Sequence, residues 1–270
     1  MRILNLGNCI KNGNYKLHSQ FKSVHNYTSD QEFVSLVTTE VGNGPNNIVL
    51  NNFPITAEPN LTVSQSTISV GNTALVINQT KPQTEENILI TDTSTLTIAI
   101  EILTEKISKI ISPKSLGFLL FPDNEIYFQS TFEKAMLHHV KEAIHYKSWE
   151  DLPAISKSMN GVGFGLTPSG DDFNCGVLYA LNYLNTLKNY DLSGVIKKCY
   201  TNSIGNNLIS NTFLKFAYLN RYYENFYNLL KALEENNKTD ISYYTYRIVG
   251  SGHTSGSDML TGFILTMRYA

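Results

Sequence analysis

Residues 161–178 read GVGFGLTPSGDDFNCGVL, and this stretch decides how the second half of the chain is interpreted. Its closely spaced glycines let the backbone approach a ligand and adopt positive φ angles that other residues avoid. The stretch then predicts a helix, whose unpaired N–H groups and positive dipole end favour an anion such as phosphate or carboxylate. It is not a Walker loop, because no Gly-Lys-Ser/Thr follows, and its spacing is not that of the dinucleotide fingerprint.

A second stretch near the carboxyl end, residues 250–264, reads GSGHTSGSDMLTGFI and repeats the pattern. Aligning Ser169 with Ser255 gives the common form Ser-Gly-x-Asp-apolar-x-x-Gly-apolar-apolar. The residues that coincide in this alignment include Gly170 and Gly256, Asp172 and Asp258, and Gly176 and Gly262. The sequence therefore predicts two equivalent loop-to-helix units.

Two interpretations of the repeat are open. In one, each serine caps its helix and the acid three positions later reaches back, as in a capping box, which stabilises the helix and does no chemistry. Capping leaves Gly176 and Gly262 unexplained, because glycine inside a helix costs about 1 kcal/mol relative to alanine. We therefore predict that the two helices cross at these glycines and bring both amino-terminal ends to one pocket.

The pocket residues follow from their chemistry. Glycine amides, hydroxyls and one acid are predicted to bind the anion or substrate: Gly163, Gly165, Thr167, Ser169, Gly170, Thr254, Ser255, Gly256 and Asp258. His253 is the candidate general acid or base, because histidine titrates near neutral pH. Asp171 and Asp172 are candidate catalytic residues that orient a substrate amine or hold Mg²⁺. No cofactor is required, and the metal assignment is not firm.

The rest of the chain predicts an α+β fold, with a β-rich part over residues 1–92 and a mainly helical part over 93–270 that carries both loops. Strands are expected at 33–38 and 48–50, and a hairpin joins 61–70 to 73–78 around Gly71-Asn72. We expect them to form a small antiparallel sheet. Runs of strands followed by runs of helices are typical of this class.

The helical part is expected to begin near Thr93 with an apolar stripe from Leu96 to Ile111, closed by Pro113. A short strand is predicted at 115–121 and a helix at 127–146. That helix carries three histidines, which are weak metal-site candidates. Further helices are expected at 191–204, 208–236 with a break near Asn220, and 240–249.

Composition excludes several classes of protein. The 270 residues carry a formal net charge of −2, which gives no basic surface for nucleic acid. The three cysteines have no metal-ligand or redox spacing, so we expect free thiols in a reducing compartment. Neither a signal-peptide pattern nor a long apolar run is found, which predicts a cytoplasmic protein without a membrane span.

The two loops resemble the signature motifs of a family once of unknown function and now named for one subunit of bacterial oxamate carbamoyltransferase. The resemblance is carried by GFGLTPSGDDF at 163–173 and GHTSGSDMLTG at 252–262. Weaker segments, GPNNI at 44–48 and LISNTFL at 208–214, extend it over roughly residues 30–265.

The resemblance implies a role in anaerobic purine (allantoin) catabolism, in which oxalurate and phosphate are converted reversibly to oxamate and carbamoyl phosphate. It also implies two other subunit types as partners and small anions as substrates: phosphate, carbamoyl phosphate or an oxamate-like acid. Two alternatives stay open. One is a Mg²⁺-dependent phosphotransferase or hydrolase, and the other is a non-catalytic subunit that binds small anions.

Overall fold

The computed structural model describes residues 1–77, 93–145, 148–186 and 191–268. The chain divides into two compact units: Met1–Glu86 with Arg221–Asn225, and Asn87–Asn220 with Phe226–Ala270. The first is built on strands and the second on helices, which confirms the α+β prediction.

The first unit contains one eight-stranded sheet. Its strands are β1 (Ile3–Leu6), β2 (Gly13–Gln20), β3 (Val24–Thr28), β4 (Phe33–Val37), β5 (Asn47–Leu50), β6 (Asn60–Val63), β7 (Thr67–Val70) and β8 (Thr73–Val76). Their spatial order is β1-β5-β4-β3-β2-β6-β7-β8. All neighbours are antiparallel except β4 and β5, which run parallel.

The sheet is larger than the sequence predicted. The predicted hairpin at Gly71-Asn72 is confirmed between β7 and β8, but the run 61–70 is two strands, β6 and β7, rather than one. The end of the predicted run, Asn78, lies outside the described residues. β1, β2 and β3, within residues 3–28, were not predicted individually. The core of the sheet lies on one face and includes Tyr15, Tyr27, Leu36, Ile48, Leu61 and Ile68.

The segment Arg221–Asn225 returns to this first unit from the helical part of the chain. Glu224 accepts a hydrogen bond from the amide of Asn43 at 2.7 Å, and the Tyr223 hydroxyl donates to Asn46 Oδ1 at 2.6 Å. Gly44 leaves room for this tyrosine, because a Cβ there would lie 2.4 Å from Tyr223 Cδ1. The segment at 44–48 is therefore held by a short piece of chain far away in sequence.

The second unit contains the helices. They are α1 (Thr93–Ser108), α2 (Thr131–Ala143), α3 (Leu152–Met159), α4 (Ser169–Asn185), α5 (Ser193–Ser203), α6 (Leu208–Tyr218), α7 (Glu224–Glu234, whose first two residues belong to the sheet unit), α8 (Lys238–Val249) and α9 (Ser255–Met267). The predicted apolar stripe of α1 is confirmed, since Leu96, Ile100, Leu103, Ile107 and Ile111 are buried.

Two local predictions in this unit were wrong. The run 115–121 is not a strand but contains a 3₁₀ turn, Leu116–Leu119, whose Gly117 amide donates to the Ser115 hydroxyl at 3.2 Å. The predicted helix 127–146 begins only at Thr131, because Ser130 and Glu133 form a capping box there, and it ends at Ala143. Tyr146 lies outside the described residues. The three histidines of this region, His138, His139 and His145, are exposed.

α4 lies at the centre of the helical unit and packs along α9. Almost every residue of α4 from Ser169 to Leu184 is buried, and Phe173 and Phe263 are fully enclosed between these helices and their neighbours. In the part of the chain that the structure describes, no helix combines the length and apolar character that crossing a membrane requires.

Candidate functional site

The helices α4 and α9 cross at the two glycines that the sequence singled out. A Cβ at Gly176 would lie 1.9 Å from the carbonyl oxygen of Met259, and one at Gly262 would lie 2.2 Å from the carbonyl oxygen of Phe173. Phe173 and Met259 are themselves equivalent positions of the repeat. The predicted crossing is therefore confirmed, and each copy of the repeat leaves room for the backbone of the other.

The glycines that follow the two serines serve a different contact. A Cβ at Gly170 would lie 1.9 Å from the carbonyl oxygen of Met159, at the end of α3. The equivalent Gly256 stands in the same relation to Ile248, near the end of α8, also at 1.9 Å. Each copy is thus a helix, a loop and a second helix whose first turn packs against the end of the first helix.

The crossing brings the starts of α4 and α9 together. The Thr167 hydroxyl, just before α4, lies 3.2 Å from the Ser255 hydroxyl at the start of α9. The same Thr167 hydroxyl donates to Asp172 Oδ2 at 2.9 Å. A hydrogen-bonded chain of hydroxyls therefore leads from the buried Asp172 to Ser255, which is half-buried.

Capping by the two serines is not observed. Ser169 and Ser255 are the first residues of their helices, and the capping positions are occupied by Pro168 and Thr254, neither of which makes a side-chain capping bond. The serines contact the opposite copy instead: Ser255 contributes a hydrogen bond that lowers the pKa of Asp172, and Ser169 does the same for Asp258. The capping interpretation of these residues was wrong.

Asp172 and Asp258 form a buried pair of carboxyls. Burial raises the pKa of Asp172 well above its usual value, and the charge of Asp258 raises it further. Burial also raises the pKa of Asp258 to about 7, against the opposing effect of the Leu116 amide, which donates to its Oδ1 at 2.6 Å. Among the described residues, Asp258 Oδ2 has no hydrogen-bond partner of good geometry. Two buried carboxyls, with no cationic group among the causes of either shift, favour holding a proton.

Asp171 faces away from this pair. Its Oδ1 accepts a hydrogen bond from the amide of Gly161 at 2.8 Å, and the neighbouring Ser210 of α6 lowers its pKa, which burial raises. Asp171 therefore anchors the start of the glycine-rich loop to α4. Its contacts are those of a residue that positions the loop.

The loop itself has the backbone that its glycines predicted. Gly161, Gly163 and Gly165 have φ angles of 72°, 108° and 102°, which residues with side chains rarely adopt. The second loop places Gly252 at 92°. Asn207 fixes the first loop from α6, since its side chain donates to the carbonyl oxygen of Leu166 at 2.8 Å.

His253 is exposed on the loop before α9 and makes no hydrogen bond or ring contact within the described residues. Thr254 beside it is half-buried and lowers the pKa of Asp258. His253 thus lies in the loop next to the two carboxyls in sequence, without a contact that fixes its ring. Its role as a general acid or base stays a prediction.

The described residues contain no group of three or more His, Cys, Asp or Glu side chains that could hold a metal ion. The Mg²⁺ ligands suggested by the sequence, Asp171 and Asp172, are adjacent along the chain but have different partners, Gly161 for one and Thr167 for the other. Mg²⁺ at these residues stays a prediction.

The sequence did not single out three contributors to this site. Leu116 donates its amide to Asp258, and Ser257 Oγ accepts from the amide of Ser112 at 3.0 Å. The first contact comes from the run 115–121 that was predicted as a strand and the second from the residues just before it, so the local pattern gave no signal for them. Asn207 was part of no motif, and the one sequence signal that could have found it is that an asparagine at this position caps the start of α6.

The comparison with known families finds a match over the part of the chain that carries the site. Residues 159–267 match the family described as Oxamate carbamoyltransferase subunit AllH. The resemblance seen in the two motifs is confirmed over this part of the chain. The AllH match begins at the end of α3 and ends with α9, so it contains both copies of the repeat and the segment 208–214, but not the segment 44–48. No curated protein and no solved structure matches the chain significantly.

Proposed function

We propose that this protein is a subunit of a cytoplasmic oxamate carbamoyltransferase of purine (allantoin) catabolism, and that the paired starts of α4 and α9 bind its small anionic substrates. The supporting observation is that the AllH match spans both motifs, which meet at Thr167 and Ser255 in the structure. Phosphate, carbamoyl phosphate and an oxamate-like acid are the proposed ligands. Two other subunit types complete the enzyme.

The proposed reaction uses the groups found at this site. An oxygen of phosphate attacks the carbamoyl carbon of oxalurate, the carbon–nitrogen bond breaks, and the nitrogen of the departing oxamate takes up a proton. Negative charge develops on the carbamoyl oxygen during the attack, and preorganised N–H and O–H donors are the usual means of stabilising it. The Ser255 hydroxyl, at the outer end of the hydrogen-bonded chain from Asp172 through Thr167, and the amides at the start of α9 are such donors. No cofactor is needed for these steps.

Protons are available beside these donors. The Asp172–Asp258 pair holds a proton near neutral pH, because burial raises the pKa of both groups. The hydroxyls of Thr167 and Ser255 connect Asp172 to the half-buried edge of the site. We assign this pair and His253 as the candidates that supply the proton to the leaving nitrogen.

The test is an assay of the native complex, isolated through an affinity tag on this chain, with oxalurate and phosphate as substrates. Carbamoyl phosphate is measured by adding carbamate kinase and ADP and following ATP. We expect Thr167→Val to lower the rate at least about 10-fold, because it breaks the hydrogen-bonded chain that connects Asp172 to the Ser255 hydroxyl. The matched control, Thr201→Val, changes an exposed threonine of α5 and should leave the rate within about 2-fold, as surface substitutions usually do.

Absence of carbamoyl phosphate formation by the complex would contradict the proposal. The same assay separates the alternatives. Full activity of Thr167→Val together with lost phosphate binding would indicate a non-catalytic anion-binding subunit. Loss of activity on adding a chelator, restored by Mg²⁺, would indicate the metal-dependent alternative.

A further inference from the structure

The first turns of α4 and α9 look equivalent in sequence, but their amides differ in the structure. At α4, the amide of Gly170 donates to the carbonyl oxygen of Val162 at 2.8 Å, and that of Asp171 donates to Pro168 at 2.9 Å. In this first turn, the amide of Ser169 has no acceptor among the described residues. Gly163 packs directly against it, because a Cβ at Gly163 would lie 2.9 Å from Ser169 N. The loop before α4 thus occupies the space and most of the amide donors at the start of this helix.

The start of α9 is open in this respect. None of the amides of Ser255, Gly256 and Ser257 donates to an acceptor within the described residues, and the first amide that does is that of Asp258, to Thr254 at 2.9 Å. Gly256 and Ser257 are buried. Buried amides without an acceptor are rare, and at a helix start they carry the positive end of the dipole.

A second observation at the start of α9 comes from side chains. Asp258 is fully buried, and its Oδ2 has no hydrogen-bond partner of good geometry in the part of the chain that the structure describes. A carboxyl in this position donates a hydrogen bond when it is protonated. Ser255 adds a hydroxyl at the half-buried outer end of the chain of hydrogen bonds that runs from Asp172 through Thr167. Among the described residues, the start of α9 therefore has three amides without an acceptor and one unpartnered carboxyl oxygen, whereas the start of α4 has one such amide and no equivalent oxygen.

We propose that a single phosphate-class anion binds at the start of α9, held by the amides of Ser255, Gly256 and Ser257 and by the hydroxyl of Ser255. The start of α4 is the equivalent helix start in the repeat and does not bind the phosphoryl group. Three amides and one hydroxyl suit the several oxygens of a phosphoryl group better than the two oxygens of a carboxylate. This assignment rests on the proposed function and states which of the two equivalent motifs takes the phosphoryl group.

The repeat supplies a matched pair of variants for the test. Inorganic phosphate is titrated into the full chain, and its dissociation constant is measured by calorimetry for wild type, Ser255→Ala and Ser169→Ala. We expect Ser255→Ala to weaken binding about 10-fold, as loss of a hydrogen bond to a charged group does. Ser169→Ala should bind phosphate within about 2-fold of wild type, because its hydroxyl hydrogen-bonds Asp258 and not the proposed anion.

A second measurement needs no variant. In the ¹⁵N-labelled wild-type chain, phosphate should shift the amide resonances of Ser255, Gly256 and Ser257, and leave those of Ser169 and Gly170 within the noise. Equal weakening by the two alanine variants, shifts centred on α4, or no saturable phosphate binding would each overturn the assignment.

The outcomes also distinguish this inference from the proposed function. Phosphate binding at α9 in a native complex that makes no carbamoyl phosphate would support the anion site and contradict the carbamoyltransferase proposal. Carbamoyl phosphate formation that Ser255→Ala and Ser169→Ala impair equally would support the enzyme and overturn the assignment to α9.

Discussion

At the scale of single residues, the site combines two buried acids with neutral donors. Asp172 and Asp258 are equivalent in the repeat, and each is approached by the serine of the opposite copy. The sequence showed the equivalence and left capping within each helix open as an alternative, because a serine three residues before an acid is the usual capping pattern. Only the crossing of the helices turns each serine towards the other acid.

The raised pKa of Asp258 predicts how stability depends on pH. An unfolded aspartate titrates near pH 4, whereas the folded carboxyl titrates at about 7. Between these values the folded state holds a proton that the unfolded state has released, so stability falls as the pH rises from about 4 to about 7. Asp258→Asn keeps an oxygen for the Leu116 amide and does not titrate. We expect its unfolding free energy to decline less between pH 5 and pH 8, by roughly 2–4 kcal/mol.

Urea unfolding at both pH values measures this difference. Glu234 has its pKa raised to about 7 by burial and by Glu235, so it contributes a decline in wild type and variant alike. The control Glu142→Gln changes an exposed carboxyl of α2 and should follow wild type. If Asp258→Asn lost as much stability as wild type over this interval, the carboxyl would not hold the proton in the folded state.

His253 gives a second prediction at this scale. Because its side chain is exposed and makes no hydrogen bond among the described residues, its replacement removes no packing. We expect His253→Ala to shift the unfolding free energy by less than about 0.5 kcal/mol. If the imidazole is the general acid or base, the same variant lowers turnover of the native complex about 100-fold. Unchanged turnover would assign the proton transfer to the carboxyl pair.

At the scale of elements, the helix crossing was predictable and its surroundings were not. Gly176 and Gly262 predicted the crossing, because a glycine inside a helix costs stability and its presence in both copies indicates a compensating contact. The turn at Leu116–Leu119, which donates to Asp258, was predicted as a strand. A short buried apolar run does not distinguish a strand from a buried turn, and the deciding contact comes from α9, far away in sequence.

Gly176→Ala tests the crossing. Alanine should gain about 1 kcal/mol in helix propensity. Its Cβ would nevertheless meet the Met259 carbonyl oxygen at 1.9 Å, and a backbone atom within a packed helix pair has little freedom to move. We expect a net loss of roughly 2–4 kcal/mol in unfolding free energy, measured by denaturant titration.

The chain offers a matched control for this substitution. Gly194 lies in the first turn of α5, and a Cβ there would have nothing within 4 Å. Gly194→Ala should therefore stabilise the protein by about 0.5–1 kcal/mol. A Gly176→Ala variant as stable as Gly194→Ala would mean that the helices do not approach this closely.

At the scale of the whole molecule, the division into a strand-rich and a helical part followed from the change of hydrophobic period along the chain. The parallel pairing of β4 with β5 could not be predicted from that period, because both strands are short and buried and their order depends on contacts across the sheet. The sequence pattern does not predict the return of Arg221–Asn225 to the sheet unit either, since its contacts at Asn43 and Asn46 join residues far apart in sequence.

The charge of the molecule predicts how salt affects the anion site. The chain has a formal net charge of −2, and no cationic side chain is among the causes that set the pKa of Asp172 or Asp258. Phosphate affinity at this site then depends on amides and hydroxyls, whose short-range dipoles are screened little by salt. We expect phosphate affinity, measured by calorimetry, to fall less than about 3-fold when potassium glutamate is raised from 0.05 to 0.5 M.

A site built on lysine or arginine would lose far more affinity over this range, because screening reduces charge–charge attraction between exposed groups. A loss of that size would place a cationic side chain at the anion and contradict the proposed set of neutral donors.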